Sequence, residues 1–292
     1  MSECNHNQCD QGANLNSNPD SKIFISPVDL RDIGALGVFQ IIINTVQKLK
    51  DKTAIILWSS FSLLILWGMN GNPKLIFPKA WRRALFPGIE WRDQLISYLG
   101  GFILVVVIPC CIIKFIFKEK LSKYGLGWSR DKMKAGLAAL IVILVVSLPL
   151  FYFATYDDEV KKEYPLFGNK IKPGDWNSFL IYELVYFLFF INVEFLFRGY
   201  LLFGLYGFRD NDAVVNASGK PGPLVFGVYA VLIQMLVYTL WHIPKPSVEY
   251  IGAVFWGVAV AAIALKIRSI WPIIIVHWLL NVFLDTVLWL RM

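Results

Sequence analysis

Residues 193–201 read Val193-Glu194-Phe195-Leu196-Phe197-Arg198-Gly199-Tyr200-Leu201, and set two opposite charges inside a run otherwise suited to lipid. A charged side chain at the bilayer centre costs about 3 kcal/mol on insertion scales, so such residues mark functional positions by default. Glu194 precedes Arg198 by four residues. That is one helical turn, with the acid first, the order in which such pairs interact best.

Working outward, apolar runs of spanning length recur near 54–70, 95–117, 135–154, 178–206, 222–243, 248–267 and 270–290. About 20 apolar residues make one helical crossing. The pattern predicts an all-α polytopic transmembrane helix bundle of six to eight spans, because the first run is short and the fourth long. Composition agrees: of 292 residues 57% are hydrophobic and only 17% charged, with a mean hydropathy of +0.55, far from a soluble domain. Eleven Trp and twelve Tyr suit aromatic belts at the two interfaces. A net charge of +7 would suggest nucleic acid in a soluble protein. Here anionic lipid headgroups and the positive-inside rule account for it, and no basic stripe with interleaved aromatics occurs. Membrane lipids, not nucleic acid, are the expected surroundings of this integral, multi-pass chain.

Lysines and arginines between 114 and 134 place that link in the cytoplasm, whereas the Asp157-Asp158-Glu159 start of the 157–175 link places it outside. The basic 71–93 loop falls outside by parity, which calls for a miscounted first span or an interfacial helix. Residues 1–35 are polar and turn-rich and read as a disordered tail. Within it Cys4, His6 and Cys9 lack a fourth metal ligand. Cys110 and Cys111 read as packing residues.

Two of the three histidines, His242 and His277, lie in predicted spans. Tyr238 precedes His242 by four residues and Asn281 follows His277 by four, so each pair shares a helix face. Asp285 extends the His277 stripe by two turns, and Glu183 lies about three turns before Glu194 on nearly the same face. These polar groups gather on the C-terminal helices. A carboxylate and two neutral imidazoles serve hydrolysis either by general-base activation of water with oxyanion stabilisation or by holding a metal that activates it. No His-Glu-x-x-His and no Gly-x-Ser-x-Gly occurs, which disfavours a zincin or a serine elbow. Direct water attack remains, with no cofactor required and a metal site not called for.

These residues resemble the CAAX protease and bacteriocin-processing (CPBP, or Abi) family of intramembrane endopeptidases. Its Glu-Glu-x-x-x-Arg motif is matched by Val193-Glu194 through Arg198. Its Phe-x-x-x-His is matched by Tyr238 to His242, and its His-x-x-x-Asn by His277 to Asn281. The segment YGLGWSR at 124–130 is similar to the stretch that precedes the domain in many members. The resemblance implies a CPBP-like membrane domain over 119–292, behind an N-terminal transmembrane region at 36–118. It implies an endopeptidase acting on a hydrophobic or prenylated peptide near the membrane. Glu194 (or Glu183) and His242 would activate water in a polar cavity enclosed by the last four helices. His277 and Asn281 would hold the oxyanion, and Arg198 would orient Glu194. Tyr238, Lys245 and Asp285 would line the substrate side. The departure is Val193, at the position where the family carries the carboxylate held to activate water. With it, a catalytically inactive scaffold that binds lipidated or hydrophobic peptides is the alternative, and a proton-coupled transporter a third.

Overall fold

The computed structural model describes residue 43 and residues 51–70, 78–127, 130–207 and 226–292. The 1–35 tail and its Cys4-His6-Cys9 set lie outside them. The described residues from 51 to 292 pack as one compact unit. Among the described residues are nine helices, besides short 3-10 turns at Leu121–Tyr124 and Gly168–Lys170, and no strand. They are α1 (Lys52–Asn70) and α2 (Lys79–Leu85), α3 (Arg92–Ile116), α4 (Arg130–Ala154) and α5 (Asp158–Glu163), and α6 (Trp176–Tyr206). Then follow α7 (Tyr229–His242), α8 (Ser247–Ile267) and α9 (Trp271–Trp289).

Five segments, within α3, α4, α6, α8 and α9, are long and apolar enough to cross a membrane, while α1 and α7 are shorter apolar helices. The chain is an integral membrane protein with the all-α architecture the apolar runs predicted. The basic loop between the first two runs carries α2, seven residues long with Trp81 exposed, in keeping with an interfacial helix. Cys110 is partly buried, whereas Cys111 lies on the outside of α3, so only the first of the pair packs inward.

Helix α6 forms the axis. The Asp175 side chain accepts from Ser178 N at 3.2 Å and starts it. The helix ends at Gly207, in the left-handed conformation (φ 66°). Every residue from Asn192 to Leu205 is buried, as expected of a helix apolar on all sides. Against it pack α3, α9, α7 and α1. An aromatic column of Tyr98, Tyr182, Tyr186 and Phe190 joins α3 to α6, with centroid spacings of 5.4 and 4.8 Å along Tyr98–Tyr186–Phe190. The Asn192 amide donates to the Tyr98 carbonyl at 2.9 Å. Gln234 on α7 donates to the Gly257 carbonyl of α8 at 2.6 Å, tying those two helices by the polar contact that lipid-embedded helices favour.

The hydrogen-bond register of α6 changes inside the motif. Trp176–Glu194 is α-helical, Phe195–Phe203 is π-helical, and Gly204–Tyr206 closes the helix. Such i→i+5 segments are rare and concentrate at functional positions. Here the switch falls between Glu194 and Arg198.

Tyr124 to Gly127, the described start of the YGLGWSR stretch, packs on this π segment. Gly125 adopts φ +81°, a conformation that favours glycine, and its carbonyl accepts from Ile270 N at 3.0 Å. Gly199 permits the approach: a Cβ there would lie 2.7 Å from the Phe195 ring and 3.1 Å from the Tyr124 carbonyl.

Candidate active site

Glu194 and Arg198 are both wholly buried. Arg198 Nη1 lies 3.4 Å from Glu194 Oε1 and Nε lies 3.3 Å from Oε2. Glu194 also receives the α9 histidine: His277 Nδ1 is 2.7 Å from Oε1. Since an ion-paired carboxylate only accepts, Nδ1 carries the proton of this bond. The Trp256 indole N–H of α8 lies beside the same carboxylate. The His277 ring rests between Phe190 and Trp256, at centroid distances of 4.8 and 5.3 Å.

On the other side of Arg198 stands α7. The guanidinium carbon sits 4.0 Å over the Tyr238 ring, a buried cation–π contact, and the Tyr238 ring is 4.3 Å from that of His242. His242 Nδ1 lies 2.7 Å from the Tyr238 carbonyl. A carbonyl cannot donate, so His242 is likewise protonated at Nδ1 and bare at Nε2. A continuous run of contacts therefore joins His277, Glu194, Arg198, Tyr238 and His242 across three helices. Asn281 donates to the His277 carbonyl at 2.9 Å, bracing that turn of α9.

The remaining candidates lie elsewhere. Glu183 and Asp285 are buried and face one another across α6 and α9, within hydrogen-bonding reach, so Asp285 meets Glu183 and not the His277 turn. Lys245 forms a third group beyond α7: its Nζ donates to Tyr164 Oη at 2.9 Å and lies 3.7 Å from Glu163. Glu249 also neighbours Tyr164, and burial together with the Glu249 carboxyl pushes the Tyr164 hydroxyl up. A recess of about 460 Å³ opens near this group, lined by Thr155, Tyr156, Lys161, Tyr164, Leu288, Arg291 and Met292. It does not lie over the Glu194 cluster, which was expected to face a polar cavity. Of Glu194, Arg198 and His277, the histidine keeps the most open side chain, 15% exposed.

Trp256, Tyr164 and Glu249 carried no motif signal. Trp256 stands in an apolar stretch as any packing aromatic would, and Glu249, three residues after Pro246, looks like a helix-start acid. Among the described residues no group of three or more His, Cys, Asp or Glu side chains is placed to hold a metal ion.

Residues 175–283 match the family model described as type II CAAX prenyl endopeptidase Rce1-like. No curated protein and no solved structure gives a match. The matched segment holds the acid, the arginine, both histidines and the asparagine in that order, so this integral membrane protein carries an Rce1-like domain at residues 175–283.

Proposed function

We propose that this protein is an intramembrane endopeptidase in which His277, oriented by Glu194, takes the proton of the attacking water. The observation that carries this reading is the 2.7 Å contact between Glu194 Oε1 and His277 Nδ1, with Arg198 on the same carboxylate. A carboxylate at Nδ1 selects the tautomer whose Nε2 faces outward as a base, and stabilises the imidazolium that forms on proton transfer. This assignment suits a chain with Val193 at the position of the family's first glutamate. The acid held against arginine then serves through the imidazole. His242, held at Nδ1 by the Tyr238 carbonyl, presents a second Nε2 as acceptor for the same water. The imidazolium of His277, once formed, donates back to the leaving nitrogen. The substrate is a hydrophobic or prenylated peptide that reaches the site along the membrane.

The test is purified protein in lipid, incubated with prenylated and plain peptides. Cleavage lost in His277→Ala and Glu194→Gln supports the reading. One observation favours a second reading: Val193 is 1% exposed and packs where the family has a carboxylate, leaving a buried polar nest with no first acid. A binding protein for lipidated tails would hold such peptides without product, and Glu194→Gln would not weaken that hold.

A further inference from the structure

Glu183 and Asp285 are 2% and 0% exposed, and no N–H or O–H of another residue reaches any of their four carboxyl oxygens. Burying a carboxylate without a partner is costly, and two ionised carboxylates cannot sit side by side in an apolar interior. Their neighbours are Tyr98 on α3, Tyr182 and Tyr186 on α6, Tyr164 ahead of α6, and Lys245 and Glu249 further out. Only a proton between the two carboxyls satisfies both, the arrangement known from paired catalytic acids in water-filled clefts.

Position gives the pair its meaning. On α6, Glu183 lies eleven residues before Glu194; on α9, Asp285 lies eight residues after His277. The two helices run antiparallel, so Glu183–Asp285 and Glu194–His277 bridge one seam at two heights. Between these heights Trp278 Nε1 donates to the Glu183 carbonyl at 2.8 Å. Phe179 of α6 also stacks on Trp289 of α9 at 4.5 Å. Shifting α9 by one turn would strand two buried acids, a cost that adds to the loss of this packing.

We infer that Glu183 and Asp285 share one proton and act as positioning residues, fixing α6 against α9 in the register at which His277 meets Glu194. The inference rests on the proposed hydrolytic reading for its purpose, but its physical content is tested separately. In the full chain in lipid, infrared difference spectra between wild type and Glu183→Gln/Asp285→Asn should reveal a hydrogen-bonded, protonated carboxyl at neutral pH; its absence from wild type overturns the shared proton. Spin labels at positions 184 and 279, where Leu184 and Leu279 are exposed, report the seam. Their distance distribution should be unchanged in Glu183→Gln/Asp285→Asn, whose amides still bridge, and broadened in Glu183→Leu/Asp285→Leu, which leaves no orphaned charge and so should fold. An unbroadened distribution in the leucine pair overturns positioning. Peptide cleavage should stay within about threefold of wild type in the amide pair and fall about tenfold or more, in kcat, in the leucine pair. Loss of cleavage in the amide pair with the seam unmoved would make these residues catalytic and defeat the positioning role. If wild type cleaves nothing, the proposed function falls, while the spectra and distances still decide the inference.

Discussion

Arg198 is the residue on which the site's electrostatics turn. It is buried between the Glu194 carboxylate and the Tyr238 face, so its removal leaves an ionised acid without its partner. Arg198→Gln should destabilise the protein by about 3–5 kcal/mol, the range for breaking one side of a buried pair. Arg198→Lys keeps the charge but lacks the planar fork and stacks poorly, so it should fall between Gln and wild type in thermal unfolding. Gly199→Ala is a steric test beside it. The new Cβ would press on the Phe195 ring and the Tyr124 carbonyl, and a backbone carbonyl cannot swing aside. A loss of about 1–3 kcal/mol in unfolding measurements is expected, typical of overpacking. At this scale the sequence was informative because charge in an apolar run is conspicuous and four-residue spacing survives the π register. Which histidine meets Glu194 was not legible. That depends on α9, not α7, lying against the acid, a tertiary fact with no local signature.

At the scale of elements, the apolar runs located the five long membrane helices to within a few residues, since spanning length and hydropathy are strong signals, whereas the run at 222–243 holds only the shorter α7, from Tyr229 to His242. The π register of Phe195–Phe203 left no trace in the sequence, because it is imposed by packing around a helix buried on all sides. The junction between α1 and the end of α3 was equally hidden. There Lys52 Nζ and Tyr124 Oη both lie 2.6 Å from Glu119 Oε2, joining residues 52, 119 and 124 outside the long spans. Burial alone would raise the Glu119 carboxyl, but Lys52 and the Tyr124 hydroxyl outweigh it and hold it below the usual carboxylate range. A carboxyl lowered in the folded state stabilises the protein above its unfolded value, about 4.3, and loses that contribution as pH falls through the folded value. Glu119→Gln should therefore cost about 1 kcal/mol at pH 7, a figure discounted for the solvent around this half-open pair. Thermal midpoints of variant and wild type should converge as the pH is lowered below 4.

At the scale of the whole molecule, the outside of the bundle states its solvent. Along α4, Leu137, Ile141, Val142, Val145, Val146, Leu150 and Phe153 are all more than half exposed. The helix touches α9 and α8 on its other side, where Val276 and Leu280 are buried. In water such a stripe would be an aggregation surface; in a bilayer it is the face that meets acyl chains. The two environments give opposite results for one substitution. Val145 is 66% exposed and near the middle of α4, so Val145→Arg breaks no protein contact and in water would be neutral or solubilising. In the hydrocarbon it should cost about 3 kcal/mol, reduced where the long side chain reaches an interface. The expected result is weaker membrane insertion in a glycosylation-reporter assay. Val145→Leu should insert as wild type does, and Val276→Ala should insert normally yet unfold at lower temperature, because it empties the α4–α9 contact. Equal insertion of the arginine and leucine variants would show that this face of α4 meets something other than lipid.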